Sequence, residues 1–134
     1  MGRAPDAVGA TAPCPCGLPA TYADCCGRWH TGALALQAPT AEAVMRSRYS
    51  AYVLQLAGYL RDTWHASTRP AQLDFEPGLR WLGLQVRRHE TSGPDSALVE
   101  FVARSKLGGR AQRLHETSRF VREEGRWLYV DGEH

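Results

Sequence analysis

No cysteine follows Cys26, lysine occurs once, at Lys106, and no apolar run is long enough to cross a bilayer. Each scarcity excludes something. With every cysteine confined to one short segment, no disulfide framework can staple the rest of the fold. Without a spanning stretch, membrane insertion is not expected. Met1 to Pro13 lacks a basic cluster followed by an apolar run, so it does not read as a secretory signal, and the expectation is a cytoplasmic protein. With one lysine, fifteen of the sixteen basic residues are arginine. Arginine forks grip phosphate oxygens well. Fourteen acidic residues offset them, however, leaving a net charge of +2 and no long basic run. Alanine and glycine are also abundant, which points to a compositional origin for the arginines and ranks nucleic acid last among the partners.

The four cysteines form two close pairs, Cys14-Pro15-Cys16 and Cys25-Cys26, separated by eight residues. Two such pairs can close a tetrahedron around zinc, with Zn–S distances of about 2.3 Å. Pro15 stiffens the first pair, and Gly17 permits a tight turn directly after it. Tyr22 and Trp29 are placed to cover the site. A Cys25–Cys26 disulfide is awkward, since adjacent Cα atoms lie about 3.8 Å apart and disulfides prefer roughly 4.4–6.8 Å. An iron–sulfur cluster also takes four thiolates, but pairs this tight suit a single metal better. The expected cofactor is therefore one structural zinc ion held by Cys14, Cys16, Cys25 and Cys26. His30 is a possible substitute ligand or a packing histidine, and Arg28 a possible neighbour to the charged site. The knuckle is too small for a core of its own, so the metal supplies its folding energy.

Beyond Ala38-Pro39, Thr40 is a good helix N-cap and Glu42 suits the first turn. Met45, Tyr49, Tyr52, Leu56 and Leu60 recur near one helical face, with Gly58 as a break. This predicts a helix over 40–54, a short one over 57–64, and a loop over 66–79, where Pro70, Pro77 and Gly78 fall. Alternation then takes over. Leu82, Leu84 and Val86 share one strand face, and Val99, Phe101 and Ala103 another. Ser92-Gly93-Pro94-Asp95, Gly108-Gly109 and Glu124-Gly125 read as turns. The last turn joins strands over 112–123 and 126–131. Helices followed by four antiparallel strands give an α+β fold.

Cys-Pro-Cys-Gly, Tyr22 and Cys25-Cys26-Gly27 together resemble the SEC-C zinc motif, best known from the C-terminal tail of the SecA translocation motor. Leu18-Pro19 stand where that motif usually has Ser-Gly, while the ligand spacing is kept. Further segments are similar to the YchJ-like bacterial family: Gly32-Ala33-Leu34, Pro39 to Ala43, Met45 to Tyr52, Thr63-Trp64-His65 through Arg69-Pro70, and His115-Glu116 through Asp131-Gly132. They span roughly residues 14 to 132. The resemblance implies a zinc knuckle over 1–38 followed, over 39–134, by a nuclear transport factor 2-like cone, with helices packed on a curved antiparallel sheet. It implies no activity.

In such a cone, a sheet face curled toward the helices can enclose a pocket. A two-residue hairpin would set Phe120 across from Tyr129 and Ser118 across from Asp131. Glu116, Ser118, Tyr129 and Asp131 then share a face, and Trp64-His65, ending the helical segment, can reach it. A histidine with two carboxylates suits general acid–base chemistry. The same carboxylates also suit structural pairing with Arg46, Arg48 or Arg104, and no set of residues stands out as catalytic. Three roles stay open: an adaptor that binds a protein partner through the knuckle, a small-molecule pocket in the α+β domain, and, last, nucleic-acid binding. The knuckle has few large apolar residues, so metal loss is expected to unfold residues 14–30 and leave 40–131 folded, with the seam at Leu36 to Pro39 and Trp29 the one side chain able to couple the two parts.

Overall fold

Thr40 starts the main helix by accepting a hydrogen bond on its hydroxyl from the Ala43 amide at 3.0 Å. Helix α2 then runs Ala41–Leu54, after a one-turn helix α1 at Gly27–His30. Glu42 and Arg46, one turn apart, pair at 2.9 Å. Gln55 closes α2 in a left-handed conformation, with its amide donating back to Ala51 and Tyr52. Helix α3 covers Ala57–Asp62. This computed structural model describes residues 9–134; Met1 to Val8, the start of the expected knuckle segment, lie outside the described residues.

Four strands follow in a simple meander: β1 Arg80–Gly93, β2 Ser96–Leu107, β3 Arg110–Glu123 and β4 Arg126–Glu133. All neighbours are antiparallel, in the order β1-β2-β3-β4. The fold is α+β, with α2 lying across the face of the sheet. Val99, Phe101 and Ala103 of β2, with Phe120 of β3, face α2 and are buried beside Met45, Tyr49 and Leu60. No helix among the described residues is long and apolar enough to cross a membrane.

Two irregularities redirect side chains that strict alternation places elsewhere. β1 is bulged between Trp81 and Gly83, which leaves Leu82 as the extra residue. Trp81 therefore turns inward onto Tyr49 and Tyr52, with ring centroids at 5.6 and 6.1 Å, and Leu82 is 53% exposed. The expected inward face of Leu82, Leu84 and Val86 is corrected to Trp81, Leu84 and Val86. β4 slips by one residue opposite Arg119 and Phe120. Phe120 does face Tyr129, but Ser118 pairs with Gly132 and Asp131 pairs with Arg119. A one-residue slip sends every later side chain to the opposite face.

The short helix stops at Asp62, two residues before its expected end. Trp64 instead forms a parallel bridge with Tyr129, and the His65 amide donates to the Tyr129 carbonyl at 2.8 Å. The Tyr129 amide donates to the Thr63 carbonyl at the same distance. This clasp ties the end of α3 to β4.

Phe120 is 1% exposed, at the centre of the packing between α2 and the sheet. Phe120→Ala should lower the unfolding free energy by about 3–5 kcal/mol. Chemical denaturation with an unchanged denaturant slope would measure it, and a loss under about 1 kcal/mol would show that the sheet closes over the cavity at little cost.

Candidate functional sites on the two faces of one helix

The cysteine segment folds back on itself. Pro13 bridges Thr21, the Cys14 amide donates to the Ala20 carbonyl at 3.0 Å, and Gly17 takes the turn with φ of +91°. Cys14, Cys16, Cys25 and Cys26 are all buried and unbridged, and their sulfurs all lie within 4.8 Å of one another. Cys16 and Cys25 sulfurs are 3.6 Å apart. Around a zinc ion with bonds of about 2.3 Å, sulfurs sit about 3.8 Å apart, so this donor set fits a tetrahedral metal. The thiols also resist joint ionisation. Burial, then charge on Cys16, pushes Cys25 up to about 12. The Cys16 and Cys26 thiols donate to Cys14 and hold it far below the usual thiol value. Four thiolates coexist in this volume only around a cation.

The knuckle is not free of the larger domain. His30 Nε2 donates to the Ser47 carbonyl at 2.8 Å, and the Tyr22 hydroxyl donates to His30 Nδ1 at 2.6 Å. The Ser47 carbonyl fixes a proton on Nε2, and burial lowers the His30 pKa, which favours the neutral ring with Nδ1 accepting from Tyr22. His30 thus braces the cluster without joining it. Arg46 Nη1 donates to the Cys16 carbonyl at 3.0 Å, and Ser50 Oγ lies 3.7 Å from Cys14 Sγ. Leu84 of β1 packs on the cysteines. Arg28 donates to the Cys25 carbonyl and stacks over Trp29, 4.4 Å from the ring centre. Trp29, Leu36 and Ala38 all join the main core, so the expected seam at Leu36 to Pro39 is itself packed.

The other face of α2 meets a cavity of about 160 Å³ between helix and sheet. Its apolar wall includes Met45, Tyr49, Tyr52, Trp81, Phe101 and Phe120, and its polar groups are Arg48, Glu116, Ser118 and Tyr129. Arg48 is 6% exposed. Its Nη1 donates to the Leu60 carbonyl and Thr63 hydroxyl, both at 2.8 Å. Its guanidinium lies against the rings of Trp64 and Tyr129, at 4.8 and 4.5 Å. Burial lowers its pKa, but a guanidinium stays charged regardless. Glu116 accepts from the Ser118 hydroxyl at 2.5 Å and the Tyr129 hydroxyl at 3.4 Å. Burial, then the charge of Glu116, pushes the Tyr129 phenol up, so it remains a donor. Gly132 passes so close to Glu116 that a Cβ there would strike the carboxylate.

Four of the six expected pocket residues line this cavity: Trp64, Glu116, Ser118 and Tyr129. His65 and Asp131 do not. In the extended bridge to Tyr129, side chains alternate, so Trp64 turns inward and His65 outward, where its ring bonds Glu123 and Ser67, each at 2.7 Å. The slip in β4 turns Asp131 outward, onto a two-pronged pair with Arg119 at 2.6 Å per prong. His115 also faces out, bonded to Glu100 at 2.7 Å. Among the lining residues that the pocket expectation left out, Arg48 is the charged one; the sequence had offered it only as a structural partner for the carboxylates. A signal for it existed: it stands three residues after Met45 and four before Tyr52, on the same helical stripe. Several exposed arginines are paired too, Arg88 with Glu90, Arg119 with Asp131 and Arg122 with Asp95.

Comparison with known proteins matches both parts of the chain. The family model described as "YchJ, middle NTF2-like domain" matches residues 40–132, and that of the SEC-C motif matches residues 11–28. A UPF0225 protein of Methylibium petroleiphilum is 66% identical over 130 residues, covering 96% of this chain and 93% of that protein. A UPF0225 protein of Bordetella bronchiseptica is 58% identical over 123 residues, covering 91% and 92%. Among solved structures, a SEC-C motif containing protein from Rhodopseudomonas palustris aligns with a TM-score of 0.79 at 35% identity, over 90% of this chain and 96% of that one. One from Psychrobacter arcticus aligns with a TM-score of 0.73 at 34% identity, over 91% and 82%.

The bonds from Arg46, Ser47 and Ser50 into the knuckle change where loss of structure should stop after metal removal. With a chelator, amide protection should fall across residues 11–30 and through the middle of α2, while β2 and β3 keep theirs. Hydrogen exchange by mass spectrometry reads this directly. Full protection along α2 with an exchanging knuckle would show the two to be separable, as the sequence alone suggests.

Proposed function

We propose that this chain, which belongs to the UPF0225 family of YchJ-like proteins, is a small-molecule-binding protein whose knuckle is stapled by one structural zinc. The observation that carries the reading is the hollow beneath α2. Cores normally close-pack, leaving few voids larger than a water molecule. Here a cavity of about 160 Å³ persists, walled by aromatic rings, with a cation, a carboxylate and hydroxyls converging on it. That combination marks a binding site more often than a packing defect. A cavity of about 150 Å³ is known to take one benzene ring, which sets the scale of the ligand. The reading is of a binding site; His65, the expected proton carrier, lies outside the cavity and bonds Glu123.

Zinc fits the knuckle on the chemistry of its donors. Four thiolates fill a tetrahedron and leave no position for water, so the metal is structural. Cys14, Cys16, Cys25 and Cys26 would hold it, and the contacts of Cys14 with Ser50 and of the Cys16 carbonyl with Arg46 would tie the loaded knuckle to the outer face of α2.

A second reading, a protein partner docked on the knuckle, has one observation in its favour: Leu18 is 39% exposed, beside a shallow groove lined by Pro13, Pro19 and Thr21. Affinity capture with the intact chain and with a Cys25→Ser, Cys26→Ser chain separates the readings, since only the adaptor role requires a specific capture that the double variant loses.

The Trp64 indole N–H reports on the cavity, because it is buried with no hydrogen-bond partner among the described residues. Titrated with a library of single-ring compounds, the protein should show nuclear magnetic resonance shifts at the Trp64 and Trp81 indoles. A library that moves neither indole would sink the small-molecule reading.

A further inference from the structure

The charge balance of the cavity narrows the chemistry of its ligand, given the small-molecule reading on which this inference rests. Arg48 is buried, and no carboxylate among the described residues lies within 4.0 Å of its guanidinium. Only its Nη1 donates to protein acceptors, Leu60 and Thr63. The two flanking rings, Trp64 and Tyr129, hold the guanidinium flat but supply no negative charge. Glu116, on the same wall, acts on Arg48 only across space, so a carboxylate entering the cavity would supply the direct charged contact that Arg48 lacks. Glu116 is the other charged group on the wall, and it is already engaged by Ser118 and Tyr129.

We propose that the cavity is a binding site for a single-ring aromatic monocarboxylate, with the carboxylate on Arg48 and a hydroxyl or amino donor on the ring directed to Glu116. Each part follows from something on the wall. A monocarboxylate brings a single negative charge to Arg48; a phosphate dianion would bring two to the same arginine with the Glu116 carboxylate nearby, and would lose more hydration than the site returns. A planar guanidinium matches a carboxylate in a two-pronged bond. The rings of Tyr49, Tyr52, Trp81 and Phe101 offer faces and edges to another aromatic ring. The volume, near that of a site for benzene, holds one ring and not two. Glu116 accepts hydrogen bonds and does not donate them when ionised, so it favours a ligand that brings a proton to that end.

Four compounds on the unmodified protein test the assignment: benzoate, benzamide, 4-hydroxybenzoate and benzylamine. Benzamide has the shape of benzoate without its charge. Benzoate should bind at least about tenfold tighter than benzamide, the margin of one charge-assisted hydrogen bond over a neutral one. The 4-hydroxy compound should bind several-fold tighter than benzoate, and benzylamine weakest. Arg48→Lys, which keeps the charge and loses the fork, should weaken benzoate while leaving benzamide unchanged. Glu116→Gln should reduce the advantage of the 4-hydroxyl group and, by removing a like charge from the wall, strengthen rather than weaken benzoate itself. Equal affinities for benzoate and benzamide would overturn the assignment and leave the small-molecule reading standing. Failure of all four compounds, alongside binding of other single-ring compounds at Trp64, would overturn it as well. Failure of every ring compound would remove the reading and the inference together. Should Arg48→Lys fail to fold, the ratio of benzoate to benzamide affinity on the unmodified protein still upholds or overturns the assignment.

Discussion

Burial of helix α2 on two sides constrains everything else in the structure. One side carries Ser47, Ser50 and Arg46 to the cysteine knuckle, and the other carries Met45, Arg48, Tyr49 and Tyr52 to the cavity. A surface helix needs one apolar stripe and leaves a charged face to water. Here small serines fill the second face. Ser47 and Ser50 are fully buried, and Ser47 satisfies its hydroxyl on Val44 and Tyr59 at 2.7 Å each. Larger residues at those positions would push the knuckle away from the helix.

This arrangement explains how a knuckle with almost no core can be ordered. It borrows from the larger domain, which supplies Leu84 beneath the cysteines, and it lends Trp29 in return. His30 spans the join, tied to Tyr22 within the knuckle and to Ser47 on the helix. The thiol cluster is then held from two directions, by its own tight turn and by the flank of α2. The cysteine cluster and the cavity thus lie against opposite faces of the same helix.

Arg48 shows the tension between packing and charge most clearly. Stability alone would favour an apolar residue in that place, since a buried charge returns its desolvation cost only when well paired. The surrounding residues are built to keep it: Thr63 and the Leu60 carbonyl end α3 on its Nη1, and two rings clamp its plane. The clasp between Thr63, His65 and Tyr129 holds both rings in place. The result is a buried guanidinium held flat on the cavity wall, with part of its fork free of protein acceptors among the described residues.

The sequence by itself determined the cysteine cluster, the α+β class, the helix that starts at Thr40 and the turns at Gly108-Gly109 and Glu124-Gly125. These are local: ligand spacing, a capping hydroxyl and turn residues act within a few positions of each other. Strand alternation also placed Glu116, Ser118 and Phe120 on one face, because β3 runs without a bulge against β2. Only the tertiary structure decided the rest. Bulges at Leu82 and in β4 depend on how neighbouring strands register, so Trp81 came in, Asp131 went out and Gly132 took the place beside Glu116. The bridge between Trp64 and Tyr129 joins residues far apart in the chain and turned His65 to the surface. That Arg48 makes no direct ion pair among the described residues was equally invisible along the chain, because how near Glu116 comes depends on how the closed sheet sets the two on one wall.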